Sequence, residues 1–178
     1  YYASRGLGDV YKRQLKNEGG ILPVGEKVQA AIIGDFAFDP RYQGAGSSMV
    51  NSTKVDSIKD MLETSGISVT GIVRGYQRDG KEDEAMKKEA VDLARRSDVV
   101  LFFFGLDEKS ETEGLDRKHL RIPQNQINLI QELAKANANM VGIISAGSVI
   151  EMPWHHHFKA LLHTALMGQA GAGAVLDI

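Results

Sequence analysis

The densest chemistry in the sequence lies between Gly105 and Ile122. There Asp107, Glu108, Glu111, Glu113 and Asp116 alternate with Lys109, Arg117, Lys118 and Arg121. Carboxyl groups this close can exchange protons at neutral pH if burial or a neighbouring carboxylate raises the pKa of one of them. The segment runs about 18 residues, against the roughly 2–6 usual between a strand and a helix, and long ordered loops are most often functional. A charged run is also the ordinary composition of a solvated loop, and composition alone does not separate the two readings.

A second polar segment runs from Gly34 to Ser48 and contains Asp39-Pro-Arg-Tyr-Gln-Gly-Ala-Gly-Ser-Ser48. Its glycines and serines suit a turn that cradles phosphate at a helix N-terminus. The dinucleotide pattern, however, needs a third glycine where Met49 stands, and the lysine of a phosphate-binding loop is absent. A simple turn is the alternative. His155, His156 and His157 are consecutive, so they cannot all face one ion. His163 follows six residues after His157, not at the helical spacing of a zinc pair. No metal site and no cofactor are expected. Trp154 stands ahead of the histidines after Ile150, Met152 and Pro153. That setting suits packing better than a sugar-stacking platform.

The elements that must position these segments alternate in period. Val28-Gln-Ala-Ala-Ile-Ile33, Ile67 to Val73, Asp98 to Phe104 and Met140 to Ser145 are short apolar runs that read as buried strands. Ala160 to Leu166 is a fifth candidate, though its composition also suits a helix. Between the runs the apolar residues recur at helical spacing. Val55, Ile58 and Leu62 form one stripe, and Met86, Ala90, Leu93 and Ala94 a second. Ile127, Ile130, Leu133 and Ala134 form a third, opening at Pro123. Strands alternating with amphipathic helices predict an α/β fold: a mainly parallel sheet with helices on both faces. In such a sheet ligands bind beyond the carboxyl ends of the strands, where both polar segments would lie.

Composition agrees with one globular domain. Of 178 residues, 43% are hydrophobic and 25% charged, which is enough apolar surface to offset the ordering entropy. Twenty-one basic residues face 23 acidic ones, a net charge of −2, so no electrostatic case exists for nucleic acid or an anionic membrane. No apolar run approaches the roughly 20 residues of a membrane span. Cysteine is absent, which removes thiol catalysis and thiolate metal sites. Residues 1–14 show neither a signal-peptide core nor a clean period and are expected to be a non-native or disordered leader. The final Gly-Ala-Gly-Ala-Val-Leu-Asp-Ile178 reads as a helix without a stop signal, so truncation at that end is expected.

Five ordered motifs carry a family resemblance. Ser110-Glu-Thr-Glu-Gly-Leu-Asp-Arg117, followed by Leu120-Arg-Ile-Pro123 and Gln126-Ile-Asn-Leu-Ile130, resembles the C-terminal α/β domain of glycoside hydrolase family 3. That family's pattern is a Ser-Glu-Gly-x-Asp-Arg loop and then a Leu-x-Leu-Pro-x-x-Gln helix start. Here a Glu-Thr pair is inserted and isoleucine precedes Pro123. Leu15-Lys-Asn-Glu-Gly-Gly-Ile-Leu-Pro23 is similar to the opening of that domain. Gly147-Ser-Val-Ile-Glu-Met-Pro-Trp154 and Gly168-Gln-Ala-Gly-Ala-Gly173 are similar to its closing elements. The resemblance covers residues 15–178.

It implies part of a two-domain retaining β-glycosidase, most simply a β-glucosidase acting on a β-linked glucoside or related oligosaccharide. In that family an N-terminal barrel domain, outside this chain, carries the aspartate nucleophile. The α/β domain lends the acid/base carboxylate. The matching position is Glu113, directly before a glycine, with Glu111 as the second choice. Asp116 and Arg117 are expected to form an ion pair that holds the loop, and Arg41 and Tyr42 to contact sugar. The rival reading is a stand-alone sugar- or nucleotide-binding α/β module.

Overall fold

The computed structural model describes residues 13–177. Six strands form one sheet: β1 (Arg13–Asn17), β2 (Ala30–Ile33), β3 (Val69–Val73), β4 (Val99–Gly105), β5 (Met140–Ser145) and β6 (Ala160–His163). Their order is β1-β6-β5-β4-β2-β3. All neighbours run parallel except β1, which pairs antiparallel with β6 at the edge. The helices are α1 (Ile58–Ser65), α2 (Glu84–Arg95), α3 (Gln124–Ala136) and α4 (Gly171–Leu176).

β4 shows why the sheet needs two helical layers. Val100, Phe102 and Phe104 point into one core, together with Ala90 and Leu93 of α2 and Leu129, Ile130 and Leu133 of α3. Val99, Leu101 and Phe103 point into the other, with Ile58 of α1 and Ala172 and Val175 of α4. A strand with side chains buried on alternating faces reads as a continuous apolar run. Each fully buried phenylalanine stabilises the fold by about 1.5–3 kcal/mol relative to an exposed one. Phe102→Ala would cost about 3–5 kcal/mol once the cavity is included. Trp154 joins the first core. It is 3% exposed and packs edge-on against Phe104 and Phe158, with ring centroids 5.0 and 5.8 Å away.

Helix starts follow local chemistry. The Ser57 hydroxyl accepts from the Asp60 N–H at 3.1 Å, capping α1, and the Asp83 carboxylate accepts from the Met86 N–H at 3.0 Å, capping α2. Val55 therefore precedes α1 rather than lying in it. Pro123 stands at the N-cap of α3, one residue before the helix. At the other end of the chain the expected helix is α4.

The edge strand differs from expectation. Of the leader expected over residues 1–14, residues 1–12 lie outside the described residues. Arg13 and Gln14 open β1, opposite His163 and Leu162 of β6. Arg-Gln-Leu-Lys-Asn carries no apolar alternation, because an edge strand exposed over much of its length is held by its partner's backbone rather than by a buried face.

Candidate active site

Three loops leave the carboxyl ends of neighbouring strands: residues 34–57 after β2, 106–123 after β4 and 146–159 after β5. The middle loop starts from a fixed point. Gly105 lies at φ +146°, and a Cβ there would collide with the Ser145 carbonyl oxygen, so only glycine leaves the sheet this way. Its N–H donates to Oε1 of Gln126 at 3.0 Å inside the core. The glutamine two residues into α3 thus anchors the loop's origin.

The two glutamates of the Ser110–Arg117 motif meet different fates. Glu111 turns inward, with a side chain 8% exposed. Its Oε2 accepts from Arg41 Nη2 at 3.4 Å and from the Gly147 N–H at 3.0 Å, and its Oε1 accepts from the Ser148 hydroxyl at 2.6 Å. One carboxylate therefore ties all three loops together. Both oxygens of Glu111, the second choice for acid/base, are hydrogen-bonded within these loops. Arg41, expected at a sugar, lies beneath the loops with its side chain 1% exposed. A buried guanidinium needs an opposite charge beside it, and Glu111 supplies one.

Glu113 turns outward. Gly114 after it adopts φ +84° and swings the chain away. The Glu113 carboxylate meets the β2 loop, where Ser47 donates to Oε2 through its hydroxyl and, at 3.3 Å, through its N–H. These bonds, the hydroxyl's first, hold the Glu113 carboxyl below the usual glutamate range. The serine-glycine turn that suited a phosphate is thus turned on a carboxylate.

Arg117 does not pair with Asp116. Its Nη1 donates to the Ser148 hydroxyl and to the Val149 carbonyl, both at 2.8 Å. Neighbouring residues in an irregular loop point apart, and Arg117 reaches the β5 loop instead. The Ser148 hydroxyl then relays Arg117 to Glu111. Tyr42 is half-buried. Its hydroxyl accepts from Gln43 Nε2 at 2.8 Å, and its carbonyl accepts from the Gly168 N–H at 2.9 Å. The consecutive histidines form a tight turn in which Nδ1 of His155 and of His156 lies on the carbonyls of Met152 and Pro153.

A charge ladder missed in the sequence supports these loops. Asp35, 6% exposed, pairs with both Arg74 and Arg78. Arg74 also meets Asp39 at 2.8 Å. Arg78 reaches Glu108 at 3.2 Å, and Glu108 lies 4.0 Å from Arg41 Nε. The ladder ties the β2 and β4 loops to the end of β3. Its only signal in the sequence is a pair of arginines four apart after a predicted strand. The pairing follows only once β3 is known to lie beside β2.

Comparison with known proteins accords with this architecture. The Glycosyl hydrolase family 3 C-terminal domain profile matches residues 15–178. The chain is 42% identical to an exo-α-(1→6)-L-arabinopyranosidase of Bifidobacterium breve over 175 residues, which covers 92% of this chain and 23% of that enzyme. It is 40% identical to thermostable β-glucosidase B of Acetivibrio thermocellus over 168 residues, covering 92% of this chain and 22% of that protein. The crystal structure of a Bifidobacterium adolescentis GH3 β-glucosidase superposes with a TM-score of 0.94 at 39% identity, covering 99% of this chain and 26% of that one. The chain thus spans about a quarter of the length of these relatives. With the profile matched from Leu15 onward and the same sheet seen in a homologue of 39% identity, the chain belongs to glycoside hydrolase family 3, as its C-terminal α/β domain.

Proposed function

We propose that this domain supplies Glu113 as the general acid/base of a retaining β-glycosidase acting on β-linked glucosides. The nucleophile comes from a barrel domain elsewhere in the same protein. One observation carries the assignment: of the two motif glutamates, Glu111 is buried and shared among three loops, whereas Glu113 is exposed on the strand-end face.

The chemistry needs two carboxyl groups about 5–5.5 Å apart across the glycosidic bond, and no cofactor. The nucleophile attacks the anomeric carbon while protonated Glu113 gives its proton to the leaving oxygen. Water then attacks the glycosyl-enzyme and gives a proton to the Glu113 carboxylate, restoring both groups. Covering the loop with a barrel domain and substrate takes Glu113 out of water and raises its pKa toward that of a working acid.

The test is leaving-group dependence in the complete enzyme. Glu113→Ala removes proton donation, so turnover of alkyl and oligosaccharide β-glucosides should fall about 10²–10⁴-fold. A 2,4-dinitrophenyl β-glucoside, whose leaving group departs without a proton, should keep its glycosylation rate. Equal losses on both substrates would reject the assignment.

A further inference from the structure

Ser47 reaches Glu113 across 66 residues of sequence, from the loop after β2 to the loop after β4. The hydroxyl and the N–H of Ser47 converge on the same oxygen, Oε2. Among the described residues nothing bonds Oε1. A proton on Glu113 therefore resides on Oε1, because Oε2 already faces two donors.

The turn is shaped for this contact. Gly46 adopts φ +76°, and a Cβ there would stand 3.0 Å from the Glu113 Cβ. A side chain at 46 would be strained in its own backbone and would push the glutamate away. The charged side chains nearest in the two loops are engaged elsewhere. Glu111 is tied to Arg41, and Arg117 to Ser148 and Val149, while the two Ser47 donors lower the pKa of Glu113.

We propose that Ser47 is a positioning residue for the acid/base: it clamps Glu113 by Oε2, presents Oε1 as the proton-carrying oxygen, and favours the carboxylate needed when water attacks. This rests on Glu113 being the acid/base. The second catalytic step should then depend on Ser47 more than the first. Retaining glycosidases use the protonated glutamate in glycosylation and the carboxylate in deglycosylation, and the Ser47 bonds to Oε2 are stronger to the ionised form.

Two measurements test this and separate it from the parent assignment. The first uses the present chain and needs no catalysis. The Glu113 side-chain carboxyl carbon is followed by NMR through a pH titration. Removing donors from a carboxylate raises its pKa, so Ser47→Ala should move the midpoint to higher pH, and Ser47→Thr, which keeps a hydroxyl, should restore most of the difference. An unmoved midpoint overturns the clamp.

The second uses the complete enzyme. Ser47→Ala should shift the alkaline limb of kcat/KM to higher pH, because the acid keeps its proton longer. It should also lower kcat on 2,4-dinitrophenyl β-glucoside, where deglycosylation limits, by about tenfold, a fraction of the whole acid/base contribution. An unshifted limb and unchanged kcat, in an enzyme whose Glu113→Ala variant behaves as an acid/base loss, overturn the role of Ser47 alone. If Glu113→Ala itself leaves catalysis intact, both proposals fall.

Discussion

Arg41 and Glu111 face each other 3.4 Å apart beneath the loop that exposes Glu113, with side chains only 1% and 8% exposed. The pair is the hub where the β2, β4 and β5 loops meet. Its energetics are those of a buried ion pair: of modest net value when intact and costly when halved, because one charge is left without compensation. Arg41 already has Nε and Nη1 without hydrogen-bond partners, so little remains to absorb the loss of Glu111.

Glu111→Gln should therefore destabilise this chain by about 2–4 kcal/mol, seen in urea unfolding at pH 7. Glu113→Gln should lower the unfolding midpoint far less, because its exposed carboxylate gives up only its bonds to Ser47. Equal effects of the two changes would mean that the loops are not organised around Glu111.

Arg117→Ala should cost about 1 kcal/mol, through loss of its bonds to Ser148 and Val149. Asp116→Asn should leave the melting temperature unchanged, since no ion pair joins it to Arg117. A double-mutant cycle returning a clear coupling between positions 116 and 117 would contradict the observed geometry.

Gln126→Leu removes the acceptor for the buried Gly105 N–H. Leaving that donor unsatisfied should cost about 1–3 kcal/mol. The same change should speed hydrogen exchange at Gly105 while leaving the Phe102 amide protected.

Purified residues 13–178 should fold and yet not hydrolyse aryl β-glucosides. Asp35, the buried aspartate at the strand ends, is held by Arg74 and Arg78 and is no free nucleophile. Turnover that disappears in an Asp35→Asn variant would overturn the two-domain reading.

Much of this was legible in the sequence for a physical reason. β4 and β5 are buried on both faces, so their apolar runs announce them, and α3 follows the stripe through Ile127, Ile130 and Leu133. β1 was not legible, because Arg13–Asn17 is defined by β6 and not by its own pattern. In the site, the motif ranked Glu113 ahead of Glu111 but did not show that one turns outward and the other inward. That division depends on which side of the loop each faces, and on Arg41 approaching from 70 residues away. Arg74 and Arg78 stayed hidden because their partner Asp35 lies just after β2, whose neighbour β3 is set by sheet order. Asp116 and Arg117, adjacent in sequence, misled because adjacency in a loop does not bring side chains together.

Glu113 is proposed as the group that carries the proton. The most direct measurement is azide rescue of the complete enzyme's Glu113→Ala variant on 2,4-dinitrophenyl β-glucoside. Azide attacks the glycosyl-enzyme without base assistance, so the rate should rise with azide concentration and the product should be the β-glucosyl azide. Rescue of Glu111→Ala but not of Glu113→Ala, or glucose as the sole product from the latter, would remove Glu113 from that role.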